Sequence, residues 1–249
     1  MSNEFPWDVY RLQLLELSGP WTGPNHHDDE RQKAADFFYV RSARRGMALS
    51  QLFEEGLYSE ATSIVRCAFE DWIAYAYVLS GWSTGRWDDL LESVHQTDAR
   101  VFEGFRDLWG EDAALARFAG MPAAVEKWVG VKAQTTDLAS RAREIGLEPV
   151  YRVAYPYLSA YSHPTTRPFG ELFDSSGAMV TARIPERDAD SEAVLALWAL
   201  WFEMRIMTLA NRAYGVDVEH ASEILLTLLE EPVDFRTAVL VREVLIEGV

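Results

Sequence analysis

From Ala61 to Leu79 the chain is almost entirely apolar, and its only charged residues are Arg66, Glu70 and Asp71. A helix that is apolar nearly all round is normally buried on every side. Ser59 can cap such a helix and Gly81 can stop it after Ser80, so the stretch predicts a central, enclosed helix. At about 100° per residue, Arg66, Glu70, Ile73 and Tyr77 fall on one narrow strip. Charges enclosed on that strip need partners.

The flanking pattern is helical as well. Residues 5–17 read as a short first helix, followed by a Gly/Pro loop from Ser18 to Asn25. Asp28 and Asp29 can cap a long helix that runs to about Glu55 and stops at Gly56; on it Phe37, Val40, Met47 and Phe53 share a face with Arg41 and Arg44. A further helix is predicted from Asp88 to Trp109, closed by Gly110, and another from Pro122 to near Ile145, before Gly146. Pro149 opens the next, which carries Tyr155-Pro-Tyr-Leu-Ser-Ala-Tyr-Ser-His163-Pro164. Within it Pro156 either kinks the helix or marks its true start.

Residues 169–186 change character and predict a small β-hairpin or irregular loop around a Ser/Gly turn. Asp190 can cap the most hydrophobic helix, 191–213, and amphipathic helices are expected at 218–230 and 234–247, on either side of Pro232. There is no internal repeat and no low-complexity linker, so the expectation is an all-α fold: a single domain over residues 1–249, a bundle of about nine helices.

Composition narrows the function classes. With 49% apolar residues, 12% aromatics and nine Trp, the chain can bury a large core. A net charge of -16 repels phosphate backbones and anionic lipid, which disfavours nucleic acid as a partner. The longest apolar run, Ala193 to Phe202, ends at Glu203 and falls short of the roughly 20 residues a membrane span needs. With no basic-then-apolar leader, the expected setting is cytoplasmic and membrane-free. One cysteine, Cys67, excludes an internal disulfide and a Cys-based zinc site, and its apolar helix predicts an inert core thiol. Ile224, Leu225, Leu228 and Leu229 could form the apolar face of a homo-oligomer, though core packing explains them equally well.

The candidate chemistry gathers on two stretches. Arg66 and Glu70, four apart, can pair, although arginine before glutamate is the weaker order for an isolated helix. Ser159 and His163 are also four apart, with Tyr155 one turn earlier. Serine, histidine and Glu70 have the composition of a nucleophilic triad, but no Gly-x-Ser-x-Gly elbow is present to expose the serine. A histidine before proline at a helix end more often caps carbonyls and meets a carboxylate. His26-His-Asp-Asp-Glu30 has metal-ligand residue types, but neighbours on a loop rarely converge on one ion. No His-Glu-x-x-His motif and no phosphate-binding glycine loop is present, so no metal and no cofactor is expected.

The Arg66-x-x-x-Glu70 helix, followed by Trp72 and Tyr75, and the later Leu158-Ser159-x-x-x-His163-Pro164 segment together resemble a bacterial family of uncharacterised all-helical proteins. The likeness runs roughly over residues 45–165 and implies a helical bundle with a shared polar centre, but no activity. The chain is also comparable to the small helical ribonucleases of bacterial toxin and defence systems, whose Arg-x(4–6)-His motif it departs from. Arg212 and His220 are separated by seven residues, Arg86 and His95 by eight, and Arg152 and His163 by ten. Two functions remain in view. In the first, the protein binds an unknown small molecule or protein and the Arg66, Glu70, Ser159 and His163 cluster is mainly architectural, with Tyr155 and Tyr77 as further contacts. In the second, it is a hydrolase of RNA or another phosphodiester, with His163 and Glu70 handling protons and Arg66 holding the anion. A working cluster should reach solvent, whereas an architectural one should be dry.

Overall fold

The computed structural model describes residues 29–118, 126–131, 137–162, 173–174, 181–182 and 189–213. The helices expected at 5–17, 218–230 and 234–247, the 26–28 histidine loop, the 224–229 apolar face and His163 lie outside the described residues. Seven α-helices are found among the described residues: α1 (Glu30–Glu54), α2 (Tyr58–Ser80), α3 (Arg86–Trp109), α4 (Glu111–Arg117), α5 (Leu138–Glu144), α6 (Glu148–Ser162) and α7 (Ala189–Ala213). Between α6 and α7, β1 (Phe173–Asp174) and β2 (Thr181–Ala182) pair antiparallel, with Phe173 opposite Ala182. The fold is all-α, and this two-residue pairing is its only departure among the described residues.

The ends of the helices follow from local chemistry. Asp29 caps α1 by accepting the Arg31 N–H at 2.8 Å. At the other end Gly56, with φ 72°, turns the chain so that Gly56 N–H bonds Phe53 C=O and Leu57 N–H bonds Leu52 C=O. Gly56→Ala should therefore cost about 1 kcal/mol, because a Cβ crowds the following carbonyl in this left-handed conformation; urea unfolding would read it as a lower midpoint with an unchanged slope. Asp137 caps α5 in the same way, accepting the Ser140 N–H at 2.7 Å. The predicted helix from Pro122 to Ile145 is not continuous. The chain turns at Lys127–Gly130, where Gly130 has φ 77°, and α5 begins only after Asp137. In α6 the helix is continuous through Pro156, a position exposed to solvent, so Pro156 does not mark its start.

α2 is the hub, packing against α1, α3, α5, α6 and α7. Its buried residues Val65, Phe69, Trp72, Ile73, Tyr75 and Val78 are distributed around the helix, as its all-round apolarity predicts. Aromatic rings tie the helices together. Phe38 of α1 stacks on Tyr75 at 4.5 Å, Trp201 of α7 meets Trp72 edge-on at 4.5 Å, and Phe202 lies 5.1 Å from Phe69. Tyr157 joins α6 to α7 through Trp198 at 5.2 Å.

The face of α1 differs from the expectation. Phe53 is buried, but Phe37, Val40 and Met47 are exposed, and the packed face is Ala34, Ala35, Phe38, Tyr39, Ser42, Gly46, Leu49, Ser50 and Phe53. These positions recur at helical spacing, and several are small. This side, which faces α2 and α7, combines large apolar residues with small ones that fit between neighbouring helices.

Candidate functional site

At the seam between α2 and α6, Arg66 bonds a residue of each helix. Its Nε donates to Glu70 Oε1 at 2.8 Å, and its Nη2 donates to the Tyr155 hydroxyl at 3.0 Å. The guanidinium carbon also stands 4.9 Å from the Tyr155 ring centroid, and Tyr155 stacks on Tyr151 at 4.9 Å. Tyr151 in turn approaches Phe69, so the polar seam is continuous with the core aromatics. Burial opposes the charge on Arg66, but the bond to Glu70 and its charge outweigh this and hold the guanidinium above its ordinary pKa.

The charged strip was expected to be enclosed. The Arg66 and Glu70 side chains instead keep 20% and 36% exposure. The strip faces the seam beside α6 rather than the interior, so the two groups touch both solvent and protein. One turn beyond Tyr155, Ser159 has a buried hydroxyl with no hydrogen-bond partner. Arg66, Glu70 and Tyr155 therefore meet at one seam, with Ser159 one turn further along α6, while His163 lies outside the described residues.

Tyr77 belongs elsewhere. It shares the angular strip with Arg66 but stands eleven residues on, about 16 Å along the axis at 1.5 Å per residue. There its buried ring lies 4.1 Å from the Arg86 guanidinium of α3 and 5.7 Å from that of Arg141 in α5. Arg86 is fixed by the Tyr77 carbonyl at 3.2 Å, the Ser80 hydroxyl at 2.7 Å and Glu144 at 2.8 Å. Gly81 leaves room beside it, because a Cβ at that position would meet the Arg86 side chain and force it to shift.

A third polar cluster, in the interior, was missed by the sequence reading. Glu203 of α7 accepts hydrogen bonds from Ser42 Oγ and, at 2.9 Å, from Arg45 Nε. Arg45 Nη1 continues to Asp71 Oδ2 at 2.5 Å, and Arg41 closes the chain with Nε to Asp71 Oδ2 at 2.7 Å and Nη2 to Oδ1 at 3.2 Å. The Arg45 and Glu203 side chains are 11% and 1% exposed. Burial pushes the Glu203 carboxyl above its ordinary value despite Arg45 and Ser42. One signal was available: Glu203 is the first charge after ten apolar residues and is set well inside the helix, a placement similar to the one that singled out Arg66. It was read instead as the end of an apolar run.

Cys67 is not a core cysteine. It is exposed, because α2 turns that position outward, yet desolvation and the Glu70 charge push its thiol above the ordinary value and disfavour the thiolate. Among the described residues no cluster of His, Cys, Asp and Glu could hold a metal ion, and no helix is long and apolar enough to cross a membrane.

Residues 33–179, more than half the chain, match the profile of a family of unknown function, DUF5677. The chain belongs to this family. The matched span takes in nearly all of α1, α2 to α6 and β1 but ends before β2, and so includes the whole α2–α6 seam and the Tyr77 cluster. α7 lies beyond it, so the family span supplies Ser42, Arg45 and Asp71 of the interior cluster but not Glu203. No curated protein and no solved structure matches the chain.

Proposed function

We propose that the chain is a single-domain helical binding protein whose ligand, a small molecule with an anionic or hydrogen-bonding group, docks at the α2–α6 seam. The observation that carries this reading is the solvent-reaching Arg66, bonded to both Glu70 and Tyr155, in contrast with the dry Arg45–Glu203 pair. Arg66 would supply the fixed cation and Ser159 its unused hydroxyl, while the stacked Tyr155 and Tyr151 rings form an apolar wall. Holding a charged group at a half-exposed seam gives a ligand something to exchange for water, which a sealed ion pair cannot offer.

The test is a ligand-observed NMR screen of small carboxylates, phosphates and planar aromatic acids against wild type, Arg66→Met and Tyr155→Phe. Binding by wild type that weakens at least tenfold in Arg66→Met supports the seam as a site. Hits that bind all three proteins equally would contradict it. A parallel incubation with labelled single-stranded RNA addresses the hydrolase alternative, in which His163 and Glu70 move protons and Arg66 holds the phosphodiester. Cleavage by wild type that disappears in His163→Ala would replace the binding reading with that one.

A further inference from the structure

Arg141 lacks what three other part-buried arginines have. Arg45, Arg66 and Arg86 each reach a carboxylate within 2.9 Å. Arg141 is partly buried, and among the described residues it forms no ion pair and its buried Nε–H has no acceptor. Asp137 and Asp89 act on it only at a distance, and Glu144, on the same helix, is taken by Arg86. Burial accordingly pulls the Arg141 guanidinium below its ordinary pKa. An unpaired, partly desolvated cation is a cost to the fold unless something compensates it.

The surroundings suit an anion. Two guanidinium groups, Arg86 at 4.1 Å and Arg141 at 5.7 Å, stand over the Tyr77 ring. Arg86 is immobilised by three acceptors, and Gly81 gives its stem room. The planar fork of an arginine matches the paired oxygens of a carboxylate or phosphate. We propose that Arg141, with Arg86 and Tyr77, forms a binding site for one small oxyanion, a phosphate or carboxylate group, at the junction of α2, α3 and α5. A polyanion fits poorly: Asp88, Asp89, Asp137 and Glu144 are exposed on the same two helices, and the chain carries a net charge of -16. This site is separate from the α2–α6 seam and stands or falls independently of it.

The experiment is thermal unfolding of the full chain in inorganic phosphate and, in a second arm, in acetate, each against chloride at equal ionic strength. Wild type should gain about 2–4 °C in at least one arm, and the arm that responds identifies the oxyanion. Arg141→Met, which keeps the apolar stem and removes the charge, should lose that gain while its Tm in chloride is no lower than that of wild type. Arg141→Lys, a charge without the fork, should lose most of the gain and serves if the Met variant does not fold. Equal gains in wild type and either variant would show a general salt effect and overturn the proposal. No gain in either arm, together with a lower Tm of Arg141→Met in chloride, would overturn it too and leave Arg141 as a packing post for Tyr77.

Discussion

Replacing Glu203 with alanine is expected to lower the unfolding free energy by about 3–5 kcal/mol, the range seen when one member of a buried ion pair is removed. For a chain of this size that is a fall in Tm on the order of 10 °C. The loss arises less from the missing attraction than from what remains. Arg45 would keep its bond to Asp71 but lose the Nε acceptor, and Ser42 would be left buried with no acceptor for its hydroxyl. Glu203→Gln should cost less, since its amide oxygen can still accept from one of the two donors.

The same residue gives a pH signature with a definite sign. Burial raises the Glu203 carboxyl in the folded protein above its value in the unfolded chain. The folded state therefore holds this proton more tightly, and stability falls as pH rises from the unfolded pKa through the folded one. Comparing wild type with Glu203→Gln isolates this component from other titrating groups. The difference, wild type minus variant, should decrease with rising pH above the ordinary carboxylate range. A flat difference would mean that burial does not dominate at Glu203.

The second large effect is expected at Phe202, buried on α7 with Phe69 at 5.1 Å, Trp201 at 5.3 Å and Trp72 at 5.9 Å. Phe202→Ala removes most of a ring from a site whose walls are themselves large rigid rings, which cannot easily collapse into the space. About 3–5 kcal/mol should be lost, against a smaller loss for Phe202→Leu, which refills part of the volume. Urea unfolding with an unchanged slope would attribute the loss to the cavity. A loss under about 1 kcal/mol would mean that α7 is not seated on α2 as described.

The hub helix was legible in the sequence because nothing competes with its signal: α2 is apolar on all sides, and Arg66 and Glu70 are neighbours by spacing alone. Tyr155 was named for its stretch, but its bond to Arg66 joins residues 89 positions apart, which no local pattern reports. Tyr77 shows the limit of angular reasoning. A helical wheel discards the rise along the axis, and that rise carries Tyr77 to Arg86 and Arg141. On α1, hydrophobicity pointed to Phe37, Val40 and Met47, whereas the packed side combines Ala34, Ala35, Ser42 and Gly46 with Phe38, Leu49 and Phe53. The break before α5 was hidden because Lys127–Gly130 contains no proline, and a single glycine, Gly130, marks the turn.

The central distinction is between a largely buried polar cluster that holds the fold together and a part-exposed seam that we propose binds a ligand. Its most direct test is urea unfolding of Glu203→Ala and Glu70→Ala beside wild type. The account predicts a loss of about 3–5 kcal/mol for the first and no more than about 1 kcal/mol for the second, the usual worth of a part-exposed pair. Comparable losses in both variants would make the Arg66–Glu70 seam as architectural as the interior cluster and remove the reason for seeking a ligand there.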